Sequence, residues 1–124
     1  AQVGWTAAEA RRRGIEVDCF RAELAEVDRA VVDGDETGFA EVYVRRGTGR
    51  VVGATVVARE AGDLIAEIVL LMTQRRTLGH LAQTIHCYPT RSEIWKRIAD
   101  SYTRTRFTPT VAKVLNRWLA WWRR

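Results

Sequence analysis

Cysteine is scarce in this chain. Two occur among 124 residues, Cys19 and Cys87, far apart in sequence. That excludes a disulfide framework, a CxxC redox pair and a cysteine zinc site. Unpaired cysteine is usually buried, so Cys19 is expected inside, on a strand. No apolar run approaches the roughly 20 residues needed to cross a bilayer. The start, Ala1-Gln2-Val3-Gly4-Trp5, lacks the basic-then-apolar layout of a signal peptide. A cytoplasmic location is therefore the expectation. Methionine occurs once, internally, at Met72, and the first residue is Ala. Both fit a single domain, residues 1–124, excised from a longer protein, although a processed Met-Ala start would look the same.

What is present suits one ordinary domain. Hydrophobic residues make up 47% of the chain and charged residues 28%, enough for one core with a solvated surface. The net charge is +5, with arginines spread from Arg11-Arg12-Arg13 through Arg45-Arg46 and Arg75-Arg76 to Arg123-Arg124. They fall mostly where helices and strands are expected to end, which suits the helix dipole and solvent. A nucleic-acid module gathers its cations on one face, so no nucleic-acid partner is expected.

Local signals give an order of elements. Thr6-Ala7-Ala8-Glu9 is a capping box, and the helix after it should stop at Gly14. Residues 15–20 are strand-like, and residues 29–32 are a second short strand candidate before the turn at Asp33-Gly34-Asp35. Residues 39–44 and 51–57 form a hairpin around Arg46-Gly47-Thr48-Gly49. Gly47, Gly49 and Gly53 do not have GxGxxG spacing, and no helix opens after them, so a phosphate loop is rejected. Residues 61–75 form a helix apolar nearly all round, hence buried in the core or in an interface. Thr77 caps a short helix over 78–84, with His80 at the surface or in a cap. Pro89 breaks the chain, and Thr90-Arg91-Ser92-Glu93 is a second capping box, opening a helix to about 103. The last helix occupies 109–124. Strands grouped before helices indicate α+β, an antiparallel sheet with a central hairpin, covered by helices.

Several ordered motifs then carry a family likeness. They are Asp28-Arg29-Ala30, Gly38-Phe39, Thr48-Gly49-Arg50-Val51-Val52-Gly53-Ala54, Ala61-Gly62-Asp63-Leu64-Ile65 and Tyr88-Pro89-Thr90-Arg91-Ser92-Glu93. Together with Val3-Gly4-Trp5-Thr6-Ala7-Ala8-Glu9-Ala10, this series resembles the C-terminal dimerisation domain of the FAD-dependent pyridine nucleotide-disulfide oxidoreductases, mercuric reductase and dihydrolipoamide dehydrogenase among them. The resemblance implies a homodimer. It also implies FAD and NAD(P) domains elsewhere in the parent protein, with no cofactor held by this chain and no activity from it alone.

In that family a His-Pro-Thr-x-x-Glu motif enters the partner subunit's active site. The His moves protons for the redox cysteines there, and the Glu orients it. Tyr88 occupies the His position here, Glu93 is retained, and His86 matches the first His of a His-Ala-His-Pro-Thr variant. The candidate site residues are therefore Tyr88, Glu93 and His86, contributed to the partner subunit. A phenol is a poor base near neutral pH but a good hydrogen-bond donor, so Tyr88 is expected to donate to the thiolate or substrate. It could instead simply pack in the interface, and Glu93 could serve only as a helix cap. A Tyr also stands there in mercuric reductases, but those end in a vicinal cysteine pair, and this chain ends in Trp121-Trp122-Arg123-Arg124.

That last helix places Val111, Val114, Leu115, Trp118, Leu119 and Trp122 on one face. Packing on the sheet or the dimer interface is expected of it, and membrane contact is not. The alternative to the dimerisation reading is a stand-alone basic module that uses this Trp/Arg helix on membranes or a protein partner.

Overall fold

The computed structural model describes residues 1–106 and 117–122. Four antiparallel strands form one sheet, β1 (Gln2–Gly4), β2 (Val17–Glu23), β3 (Phe39–Arg45) and β4 (Val51–Val57), in the order β1-β4-β3-β2. The helices are α1 (Ala7–Arg12), α2 (Asp28–Val32), α3 (Ala61–Thr73), α4 (Gly79–Ala82) and α5 (Glu93–Arg106), and a 3-10 turn covers Leu24–Glu26. This is the expected α+β architecture with its hairpin at the centre of the sheet. Strand β1 has no counterpart among the sequence expectations; its three residues are too few for a period-2 pattern to register.

The pairing register decides which side chains reach the core. Phe20 lies opposite Val42 and Val42 opposite Ala54, so alternate residues of the three long strands point to one face. On that face Ala40, Val42, Val44, Ala54 and Val56 meet Ile65 and Ile68 of α3 and Ile94, Trp95, Ile98 and Tyr102 of α5. Trp95 is fully buried, and its indole N–H donates to the Leu64 carbonyl at 2.9 Å, satisfying the one polar atom such a ring brings inside.

Local signals mostly act as expected. Thr6 caps α1 in a complete capping box, and Gly14 follows with φ +70°. The hairpin turn takes positive φ at Gly47 and Gly49. A side chain on Gly49 would run into the Tyr102 hydroxyl, so the turn lies directly against α5. The helix α3 stops at Thr73, and Arg75 takes the left-handed φ of 55° two residues later.

Four expectations are corrected. Residues 29–32 belong to α2 and not to a strand. Val27 and Ala30, three apart, are fully buried while Val31 and Val32 are exposed, which is helical spacing, and Gly34 ends the turn with positive φ. Cys19 is exposed, because the register that turns Phe20 inward turns its neighbour outward. The second capping box does not form. The Thr90 hydroxyl donates instead to the Cys87 carbonyl at 2.7 Å, and the Glu93 N–H reaches the Thr90 carbonyl at 3.3 Å. Thr77 does not cap α4 with its side chain; its N–H and hydroxyl instead approach Nδ1 of His80, which acts in the cap as one reading of it proposed. The last helix is described only over 117–122, and residues 109–116 lie outside the described residues.

Candidate functional site

The segment between α4 and α5 carries His86 and Tyr88, and Glu93 opens α5; the three side chains go to different places. Ile85 is 97% exposed and Tyr88 71%, whereas the His86 side chain is turned inward and is only 6% exposed. The Tyr88–Pro89 peptide is cis. The Thr90 hydroxyl, bonded to Cys87 and 2.9 Å from the Ser92 hydroxyl, closes the segment on itself before α5 begins.

His86 is held by α3. Its Nε2 lies 2.7 Å from Oε1 of Glu67, and its Nδ1 is buried without a partner among the described residues. Along α3 the only acids are Asp63 and Glu67, on a stretch otherwise apolar apart from its terminal Thr73. An isolated carboxylate in such a setting is expensive unless paired, and the imidazole pairs it.

Tyr88 is held by α2. Its hydroxyl donates to Oδ2 of Asp28 at 2.6 Å. That bond, followed by the charges of Asp28 and Glu93, raises the phenol above its ordinary value, so Tyr88 stays a neutral donor through the physiological range. Glu93 bonds to neither candidate. Its carboxylate meets Arg97 one turn on at 3.2 Å, and Arg97 also reaches Asp28 at 4.0 Å. Asp28, Arg97 and Glu93 thus form a charged base beneath the phenol.

A third anchor was missed in the sequence. Arg91, with its side chain only 12% exposed, pairs with Asp33 at 3.1 Å and with Asp35 at 2.8 Å. Asp33 is held below the usual carboxylate range by its bonds to Arg29 and then Arg91. These pairs fasten the start of α5 to the turn after α2. Beside them a cleft of about 680 Å³ is lined by Arg29, Asp33, Arg59, Glu67, Pro89 and Arg91. Charges of both signs share it, which favours no single ionic ligand.

The roles of Asp28, Glu67, Asp33 and Asp35 were not read from the sequence. Asp28 opens one of the matching motifs but suggested no contact, and Glu67 carried a signal only as an acid interrupting an apolar helix. Among the described residues no group of three or more His, Cys, Asp or Glu side chains could hold a metal ion. The glycine turn over 46–49 does not fit a phosphate of FAD or NAD(P): it closes a hairpin against Tyr102, and no helix opens from it.

Comparison with known proteins matches residues 1–99 to the family described as "Pyridine nucleotide-disulphide oxidoreductase, dimerisation domain". A mercuric reductase of Serratia marcescens is 39% identical over 104 residues, covering 84% of this chain and 23% of that protein. A dihydrolipoyl dehydrogenase of Bacillus subtilis is 32% identical over 100 residues, with 81% and 21% covered. Among solved structures, LpdA from Mycobacterium tuberculosis superposes with a TM-score of 0.75 at 30% identity, covering 82% of this chain and 22% of that one. The flavoprotein disulfide reductase RclA from Escherichia coli, at 24% identity and a TM-score of 0.76 over 80% of this chain, shares the fold. The chain spans about a fifth to a quarter of the length of these relatives.

Proposed function

This chain belongs to the dimerisation domains of the pyridine nucleotide-disulphide oxidoreductases, and on that premise we propose that it joins two copies of a longer flavoprotein and lends each copy a residue for chemistry at the other's site. The family is FAD- and NAD(P)-dependent at full length. The parent protein is accordingly read as a cytoplasmic oxidoreductase whose FAD and NAD(P) domains lie outside residues 1–124. Its substrate is a disulfide or a mercuric ion.

The observation that carries this reading is Tyr88, an exposed phenol fastened from behind by Asp28. A side chain meant only for packing would not need its hydroxyl fixed and its proton retained. Elsewhere α3 exposes Leu70 (58%) and Val69 (40%), apolar area that supports a contact with a second copy. A two-fold contact is self-complementary, so both loops would be delivered at once.

The roles follow from the bonds. Tyr88 donates a hydrogen bond or a proton to a thiolate or bound substrate across the interface. Asp28 aims it. Glu93 acts at one remove, by keeping Arg97 in place and adding negative charge that holds the phenol protonated. His86, enclosed with Glu67, serves as a buried strut for the loop and not as a base open to substrate. Flavin and nicotinamide supply the electron transfer from their own domains.

The test is turnover of the full-length enzyme with Tyr88→Phe. A fall of about tenfold or more in kcat, with the dimer mass unchanged, is expected for a lost donor. Unchanged turnover would reduce Tyr88 to interface packing.

A further inference from the structure

The basic excess of this protein is not spread over the fold. Residues 1–103 hold 14 Lys and Arg against all 15 Asp and Glu, and residues 104–124 hold the other six cations with no acid at all. The same final segment contains three of the five tryptophans, Trp118, Trp121 and Trp122. It lies beyond residues 1–99, the part that matches the dimerisation family.

Within one copy of the chain that aromatic surface is not covered by the sheet. Trp118 is 53% exposed, Leu119 37%, Trp121 73% and Trp122 74%. The segment is helical over 117–122, and Trp118 and Trp122 stack with ring centroids 6.1 Å apart at 25°. At 100° per residue, Trp121, Trp118, Trp122 and Leu119 cover one broad face, and Arg117 and Ala120 lie off it.

We propose that this C-terminal segment is an interfacial anchor for an anionic membrane surface. Indole rings, apolar with one polar N–H, settle at the level of lipid headgroups, and flanking cations add attraction to anionic lipid. With six Lys and Arg among its 21 residues the segment is too charged to be buried in hydrocarbon, so a surface position is the one proposed. The same segment of a second copy is a poorer occupant, because it would bring six cations against six with no acid to pair them.

The experiment is co-sedimentation of the whole chain with vesicles of phosphatidylcholine, with and without about one-third phosphatidylglycerol. Binding to the anionic vesicles should exceed that to neutral ones by at least about tenfold and weaken as salt rises. Trp118→Ala with Trp122→Ala should lower that binding about tenfold or more. Arg123→Gln with Arg124→Gln should lower it about fivefold per cation removed while leaving neutral vesicles unaffected. Circular dichroism and sedimentation mass should match the parent chain for both variants. No binding to anionic vesicles overturns the proposal, as does binding that neither variant changes. If vesicles are ignored and the Trp variant instead lowers the sedimenting mass, the surface is a contact between copies and the proposal fails.

Discussion

Nε2 of His86 stands 2.7 Å from Oε1 of Glu67, joining the loop before α5 to the middle of α3. The imidazole side chain is 6% exposed and the carboxylate side chain 28%, so the contact lies largely out of water. Removing Glu67 leaves the buried imidazole short of a bond it cannot recover from solvent, whereas the half-buried carboxylate left by removing His86 can turn partly to water. His86→Ala and Glu67→Ala should each cost about 1–3 kcal/mol. The double variant should cost less than the sum, with a coupling of about 0.5–3 kcal/mol in urea unfolding. Additive effects would mean that the two side chains act independently.

Tyr88 should titrate above an ordinary tyrosine, and Asp28 is the first cause. Asp28→Asn should bring its phenolate absorbance back toward pH about 10. The sign for stability follows from a folded value raised above the unfolded one. The contribution is complete below about pH 10 and is lost as pH rises through the folded value. Tyr88→Phe should therefore lower stability at neutral pH, where the contribution is complete, and flatten the alkaline end of the stability curve, where the parent protein loses it. An identical alkaline limb in the two proteins would remove Asp28 as an effective partner.

Gly47 and Gly49 share the hairpin turn and differ in what surrounds them. Both have positive φ, but nothing lies within 4 Å of a side chain at Gly47, whereas one at Gly49 would strike the Tyr102 hydroxyl. Gly47→Ala should cost about 1 kcal/mol from backbone strain alone. Gly49→Ala should cost about 1–3 kcal/mol more, from displacing a buried ring. Thermal and urea midpoints of the two variants decide this, and equal losses would mean that Tyr102 yields freely.

Leu70 and Val69 bear on self-association. Leu70→Lys puts a charge on an exposed part of α3 and should leave the monomer fold intact, shifting Tm by no more than a few degrees. It should raise the dimer dissociation constant about tenfold or more in a sedimentation series. A dimer as tight as the parent's would move the interface away from this part of the helix.

Much of the fold is local in origin and could be read directly. The Thr6–Glu9 capping box, the glycine turn between β3 and β4, and the apolar stripe of α3 each act over a few residues, where spacing alone fixes geometry. The ordered motifs named the family for the same reason, as each is a short run. The reading failed where a short segment has two solutions. Arg29-Ala30-Val31-Val32 suits a strand by its β-branched residues, but α2 wins because Val27 and Ala30 can then both reach the core. Cys19 and Phe20 differ by one position, and only the pairing of β2 with β3 says which of them faces inward.

The candidate site divides the same way. The sequence by itself determined which residues occupy the loop, since Tyr88, His86 and Glu93 sit in one motif. The tertiary structure decided what each one does there. Tyr88 finds Asp28 sixty residues away and His86 finds Glu67 nineteen away, while Glu93, the partner that spacing suggested, turns to Arg97. Side-chain partners of this kind depend on how α2, α3 and α5 pack around the sheet. That packing comes from the summed burial of the whole core, which no local spacing encodes.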